Sequence, residues 1–503
     1  MGMLRLITHH PLRHLFSLLI AGLFAPNVGI QAAEAQALRY CQIAPNAVSQ
    51  KESLLQASLQ GNTTAQQQYQ TVLTQHAQAV FQCRQQNWPK NQAIWLRLYP
   101  CDAQPGAIER ILDDIVNRGY NQVYLEVFYD GQVLLPAANN PTSWPSVFRA
   151  ADQRNRDLLA EAIQKGRQRG LKVYAWMFML NFGYTYTLRT DRQQVLARNG
   201  AGETTVTANL DGTTVDDFGE SFVNQGFIDP YNPMGRQDYQ TLLNSVLQRR
   251  PSGVLFDYVR YPKGLGGQSV ATRVQDLWIY GDASQKAFLQ RATNERGQEL
   301  IQRFLNQGFV TETDLKQIET LYPDQEEPFW QDEKVLKPLS AIAPLGETLQ
   351  NQLWRLSVAH AQQGVLDFLG NISQTVQGRG IPAGAVFFPE GNRRIREQGF
   401  DSRLQPWTLF SNSIEWHPMA YGVCGNTSCI TSQVQTVVSQ AQPGTKVIPA
   451  LAGQWGRAFN NRPSLEQQMQ AIRSASPQVQ SVSHYSYDWL EPGLTQQRKF
   501  CQS

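Results

Sequence analysis

Hydrophobic positions along the chain fall into two rhythms. Over residues 38–90 they recur at helical spacing. Tyr69, Val72, Leu73, His76 and Val80 follow i, i+3, i+4, i+7, the stripe of an amphipathic helix packed on one face. From residue 91 the pattern becomes short, near-continuous apolar runs at 93–98, 122–128, 171–178, 253–258, 383–388, 414–421, 446–451 and 482–487. Helix-like stretches lie between them at 107–118, 156–169, 237–249, 353–376, 431–440 and 464–474. Strands that are apolar on both faces and separated by helices belong in a parallel sheet. Eight such runs predict an α/β fold, a (β/α)8 TIM barrel over 91–495, with 38–90 as an N-terminal helical extension. A doubly wound open sheet gives no reason for eight units, and no G-x-G-x-x-G follows the first run. Residues 263–350, after the fourth run, exceed any simple barrel loop. Helical stretches at 283–307 and 312–321 predict a long helical insertion there, on the face where barrels bind ligands.

The first residues read as an address. Arg5, His9, His10, Arg13 and His14 precede an apolar run at 15–25, and small residues lead on to Ala35-Gln36-Ala37. A cationic start, a short apolar centre and an A-x-A site predict a secretory signal peptide at 1–37. The run falls short of the roughly 20 apolar residues that span a bilayer. The mature chain is therefore expected to be secreted or periplasmic, with no stable membrane span after cleavage. Six cysteines, an even count in an exported chain, favour disulfides. Cys424 and Cys429 flank the turn-forming Gly425-Asn426, and Cys41 and Cys83 could staple the N-terminal helical piece.

Composition narrows the functional classes. Hydrophobic residues make up 42% and aromatic residues 10% of 503, enough for a sizeable core and against wholesale disorder. The 44 basic and 41 acidic residues leave +3 with no basic run, so nucleic-acid binding has no support. His360, His417 and His484 are too dispersed for the Asp-His-His set of a metal-dependent deacetylase, so no metal or other cofactor is expected.

Catalytic groups of such a barrel lie at the carboxyl ends of the strands. The fourth run reads Gly253-Val-Leu-Phe-Asp257-Tyr258-Val-Arg260-Tyr261-Pro262. Asp257 follows an otherwise apolar strand, and Arg260 nearby could hold it ionised as a nucleophile or charge stabiliser, or simply lock the loop. Glu390, at the end of the fifth run, is the leading acid/base. Apolar surroundings would suit it to proton donation. Period two places Glu415, His417, Met419 and Tyr421 on one side of the sixth run, with Tyr421 near the rim and Glu415, a reserve candidate, near the bottom. Glu126 inside the second run, Asp130 at its top and Asp488 after the eighth are further rim acids. Trp176, Trp416, Trp455 and Trp489, with Tyr258 and Tyr487, could stack on the apolar faces of sugars.

Residues 253–262 resemble the signature of the bacterial glycosyl-hydrolase-like 10 group. Ile94-Trp95-Leu96, residues 121–131, Phe227-Ile-Asp229-Pro230-Tyr-Asn-Pro233 and Trp354-Arg355 follow in that group's order. The resemblance implies an exported (β/α)8 glycosidase acting on a polysaccharide, cell-wall glycan being one substrate type of the group. It also implies Asp257 as the central carboxylate. Two departures stand out: Tyr258 replaces a second Asp of many members, and Gly131-Gln132 replaces a Gly-Asp. Met419-Ala-Tyr421 echoes a chitinase motif, but Val259 and Arg260 stand where a chitinase carries its acid. Two classes remain, a two-carboxylate glycoside hydrolase and a non-catalytic carbohydrate- or wall-binding barrel.

Overall fold

The computed structural model describes residues 40–129, 131–208, 225–325, 330, 349–397 and 399–500. The signal segment 1–37 and Asp130 lie outside the described residues. Eight parallel strands form the centre: β1 (Asn91–Leu96), β2 (Gln122–Tyr129), β3 (Lys172–Phe178), β4 (Gly253–Asp257), β5 (Ala383–Phe387), β6 (Glu415–Ala420), β7 (Ala450–Ala452) and β8 (Ser481–Tyr485). Each pairs with the next, and β1 pairs with both β2 (Ala93 opposite Gln122) and β8 (Asn91 opposite Ser481). The sheet therefore closes without an edge, and the (β/α)8 barrel read from the sequence is the observed fold. The seventh strand starts later than its apolar run. Pro449 has no N–H for the ladder, and Val447 makes only a single bridge, to Trp416.

Among the described residues, twelve helices of eight residues or more carry the connections and additions: α1 (Pro45–Leu59), α2 (Thr63–Gln86), α3 (Ala107–Asn117), α4 (Leu158–Gln168), α5 (Pro233–Leu247), α6 (Asp282–Leu289), α7 (Glu295–Gln307), α8 (Glu312–Leu321), α9 (Leu349–Gln377), α10 (Ser428–Gln440), α11 (Leu465–Ala475) and α12 (Pro492–Phe500). Polar residues before the apolar stripes start several of them. Asp157 accepts the Ala160 N–H (2.9 Å) at α4, and Asn232 accepts that of Met234 (3.0 Å) at α5, where Pro233 takes the first helical position.

The barrel interior is filled by rings. Trp95 meets Tyr124 edge-on at 5.1 Å and Trp176 at 4.7 Å, while Tyr124 meets Tyr174 at 5.6 Å and His417 at 5.4 Å. Two glycines make room for them. A Cβ on Gly253 would lie 2.5 Å from the Tyr174 ring, and one on Gly384 would lie 2.8 Å from His417 Nε2.

Helices α1 and α2 pack on the outside, against the loops that enter the strands. Arg84, 2% exposed, donates to the carbonyls of Tyr40 (2.7 Å) and Gly119 (2.8 Å) and to Gln92 Oε1 (2.7 Å). Tyr69 and Arg169 both bind Asp113 of α3, at 2.6 and 2.9 Å. The Cys41–Cys83 disulfide ties the start of this piece to α2. The opposite face carries the insertion with α6 to α8. Buried Asp229 accepts the N–H groups of Tyr231 and Ser284, both at 2.9 Å. His360 of α9 lies between the rings of Tyr231 (4.4 Å) and Phe288 (4.7 Å). A small antiparallel sheet of Val270–Ala271, Gly399–Asp401 and Arg394–Ile395 joins the loops that follow β4 and β5.

Candidate active site

Asp257 is the last residue of β4 and 9% exposed. Its Oδ2 accepts the Trp176 indole N–H (3.1 Å) and its Oδ1 accepts the backbone N–H of Tyr258 (2.6 Å). Two N–H donors aimed at the oxygens suit a carboxylate that carries charge. Tyr258 takes a left-handed backbone (φ 51°), uncommon for a bulky side chain and therefore a local constraint held by its surroundings. Its ring packs on Phe178 at 4.3 Å, and its hydroxyl accepts from Gln225 (3.2 Å).

That turn corrects one expectation. Arg260 does not reach back to pair with Asp257. Its guanidinium lies over the Tyr258 ring at 4.5 Å, and Nη1 donates to the Tyr261 carbonyl at 2.9 Å.

The loop after β5 is fixed by a segment that no sequence pattern singled out. Gln405, 1% exposed, accepts the Phe388 N–H (2.9 Å) and donates to the Val259 carbonyl (3.1 Å), bridging the loops after β4 and β5. Trp407 Nε1 donates to the Pro389 carbonyl at 3.2 Å, and the Tyr261 N–H to that of Arg403 at 2.9 Å. Glu390 sits on this stapled loop, partly exposed, with Oε1 3.5 Å from Arg403 Nη1. Its neighbour is a guanidinium and not the apolar wall expected for proton donation. Arg403 also grips Asp401 through two nitrogens, at 2.8 and 2.7 Å.

On β2 a register shift between Glu126 and Phe128 interrupts the ladder with β3. Glu126, 1% exposed, is ion-paired with Arg97 just beyond β1. Tyr421 and Tyr485 face each other at 5.9 Å, and Tyr485 lies 5.9 Å from Trp489 and 6.3 Å from Trp176. The rim around Asp257 is thus lined by partly exposed aromatic rings. Tyr485 ends β8 inside the aromatic run 484–489, where no sequence pattern separates it from its neighbours.

Residues 90–307 match the Glycosyl hydrolase-like 10 family. The matched segment carries β1 to β4 with Asp257 and Arg260, and ends with α7. Solved structures similar to the chain include a beta-galactosidase from the psychrophilic Marinomonas ef1 (10% identity, TM-score 0.45, 79% of this chain and 54% of that one). They also include a beta-N-acetylhexosaminidase from Bacteroides fragilis NCTC 9343 (10%, 0.39, 80% and 62%). A hypothetical protein from Ruminiclostridium thermocellum ATCC 27405 is a third (11%, 0.24, 34% and 77%). The chain spans less than two thirds of either enzyme's length. No curated protein matches.

Other sequence candidates lie away from the rim centre. Glu415 begins β6, at the far end of the barrel from Asp257, paired with Lys446 and 3.4 Å from His417 Nε2. Burial opposes its charge, yet His417 and Lys446 carry its pKa down to about 2. It belongs to the barrel floor. Tyr487 is fully buried and donates to Asp114 of α3 at 3.1 Å. Trp455 turns outward, donating to the Tyr120 hydroxyl (3.1 Å) and packing on Tyr40 (5.1 Å) and His484 (5.3 Å). Trp416 is likewise buried outside, against Phe387 and Trp407. Asp488 accepts from Tyr99 (2.6 Å) and pairs with Arg498 of α12 (3.3 Å). In each case alternation placed the residue near a strand end but could not say to which side the chain turned next.

His360, His417 and His484 occupy three separate places: the insertion's base, the barrel floor and the outer layer, where His484 meets Tyr120 at 2.7 Å. Among the described residues no group of three His, Cys, Asp or Glu is placed to hold a metal ion. A cleft of about 970 Å³ opens on the barrel flank between α1, α3 and α12, and none of the rim acids lines it.

Proposed function

We propose that the chain is an exported glycoside hydrolase that cleaves a polysaccharide, with cell-wall glycan as the leading substrate. The observation that carries this reading is Asp257. It ends an apolar strand at the catalytic face of a barrel, its oxygens held by Trp176 and Tyr258, within a ring of aromatic residues. In this scheme Asp257 attacks the anomeric carbon or stabilises the oxocarbenium ion. Glu390 gives its proton to the leaving oxygen and later takes one from water. Proton donation requires Glu390 to move off Arg403, which keeps Asp401 as its partner. Tyr421, Tyr485 and Trp489 offer ring faces to the sugar. The disulfides Cys41–Cys83 and Cys424–Cys429 support export, since such bonds persist in oxidising compartments. No helix among the described residues is long and apolar enough to cross a membrane.

One observation favours a second reading, a carbohydrate-binding barrel without catalysis. Glu126, Glu390 and Asp488 each have an arginine partner, which would leave Asp257 without a proton donor. The test is hydrolysis of natural glycans beside aryl glycosides whose leaving group needs no protonation. A Glu390→Ala variant should lose the natural glycan and keep the activated glycoside, and Asp257→Asn should lose both. A wild-type protein that binds glycans but releases no reducing ends from any of them would establish the binding barrel.

A further inference from the structure

Three cations converge where the loops after β4 and β5 meet, and only one of them has an ionic partner among the described residues. Arg403 and Arg260 are each 4% exposed, and both guanidinium groups lie against the Phe388 ring, at 4.5 and 5.7 Å. Arg403 is matched by Asp401 at 2.7 Å and by Glu390 at 3.5 Å. Arg260 is flanked by the rings of Tyr258 (4.5 Å) and Phe227 (5.9 Å) and spends one N–H on the Tyr261 carbonyl. Lys263 follows on the same loop. Among the described residues, no carboxylate lies within ion-pair distance of Arg260 or Lys263.

Burying a guanidinium without a counter-charge is unfavourable, more so beside a second one. Burial, then the charge of Arg403, lowers the pKa of Arg260. Burial, then Arg403 and Arg260, lowers that of Lys263. Asp257 attracts Arg260 from further off, but its own oxygens receive N–H groups from Trp176 and Tyr258. Among the described residues, the carboxylates of Asp401 and Glu390 both pair with Arg403, which leaves Arg260 and Lys263 without a direct ion-pair partner, a place that a single carboxylate could fill. Arginine's planar fork fits a carboxylate in particular, and the flanking rings suit the sugar that carries it.

We propose that Arg260 and Lys263 form a subsite for a carboxylate carried by a pyranose, so that the glycan cleaved here is acidic. This rests on the glycosidase reading and names its substrate class. The carboxylate could belong to a uronic acid or to a lactyl ether on an amino sugar, and the two are separable. The experiment measures binding and hydrolysis of three tetrasaccharides by the full exported protein: neutral chitotetraose, a β-1,4-linked tetraglucuronate, and a peptide-free peptidoglycan tetrasaccharide. At least one acidic ligand should bind about tenfold tighter than chitotetraose, the weight of one charge-assisted contact. Arg260→Met should abolish that preference. Lys263→Gln, an exposed position that leaves folding intact, should reduce it about threefold. Whichever acidic ligand is preferred identifies the source of the carboxylate. Equal affinity for all three, or a preference untouched in both variants, overturns the subsite even if hydrolysis is found. An acidic preference that depends on Arg260 without hydrolysis keeps the subsite and overturns the catalytic reading. Absence of binding to all three overturns both.

Discussion

The two ends of the barrel treat a buried carboxylate in opposite ways. Glu415 on the floor and Asp257 on the rim are similarly enclosed, 6% and 9% exposed. Glu415 has a cation beside it, Lys446, and the carboxylate of a matched pair is chemically quiet. Asp257 is held instead by the N–H groups of Trp176 and Tyr258, next to a backbone in a disfavoured conformation. These two neutral donors fix the position of both its oxygens. The surroundings differ in the same sense. Floor loops are sealed by α1, α2 and buried Arg84, whereas the rim keeps partly exposed rings. Burial alone therefore does not distinguish the two carboxylates, whereas the groups that hold them do.

The largest expected effect tests the floor as the seat of stability. The Cys41–Cys83 bond closes a sequence separation of 42 and the rim-side Cys424–Cys429 bond one of 5. Loop-closure entropy makes them worth about 4 and about 2 kcal/mol. Replacing each pair with serine and measuring denaturant midpoints should show the larger loss for the floor pair. An equal or reversed order would break the contrast.

A second effect belongs to the wall of the rim. Burial raises the pKa of Asp229 from 3.8 to about 6, against the pull of the N–H groups of Tyr231 and Ser284. A raised carboxylate contributes its full stability below the unfolded value, near pH 4, and loses it as pH climbs through 6. The base of the insertion should therefore loosen by at most about 3 kcal/mol between pH 4 and 7. Protection of the Ser284 amide against hydrogen exchange should fall over that interval once intrinsic rates are allowed for. Protection that rose with pH would contradict the assignment. Glu415 has the opposite sign. Its lowered pKa stabilises above about 4.5, and that contribution disappears toward pH 2.

The smallest effect concerns the donors at Asp257. Trp176→Phe keeps a ring in the barrel interior and removes the indole N–H. Turnover should drop about tenfold, the scale of one hydrogen bond to a charged group, with little change in melting temperature. A loss of stability without a loss of rate would make Trp176 a packing residue only.

Much of this fold was legible in the chain because parallel barrel strands are buried on both faces and so read as continuous apolar runs. Asp257 was legible for the same reason, as a charge ending such a run. Its partner was not. Whether Arg260 turns toward Asp257 or onto Tyr258 depends on the left-handed backbone at Tyr258, which no local pattern announced. Gln405 and Arg403 were invisible because they act from a loop beyond β5, across 146 residues in the case of the Gln405 bond to Val259. Tyr487 and Trp455 sit near strand ends as expected. The chain then turns under α12 or outward toward Tyr40, and period two cannot report such turns.

The most direct test sets Asp257→Asn beside Glu415→Gln, with turnover of a cleaved glycan and melting temperature read on the same samples. Asp257→Asn should lose at least about a thousandfold in turnover and melt within a few degrees of wild type. Glu415→Gln should keep its turnover per folded molecule and lose about 1–2 kcal/mol of stability, since Lys446 is half exposed and can be resolvated. A folded Asp257→Asn that hydrolyses within tenfold of wild type, or a Glu415→Gln that melts normally but is inactive, would contradict the division of the barrel into a working rim and a structural floor.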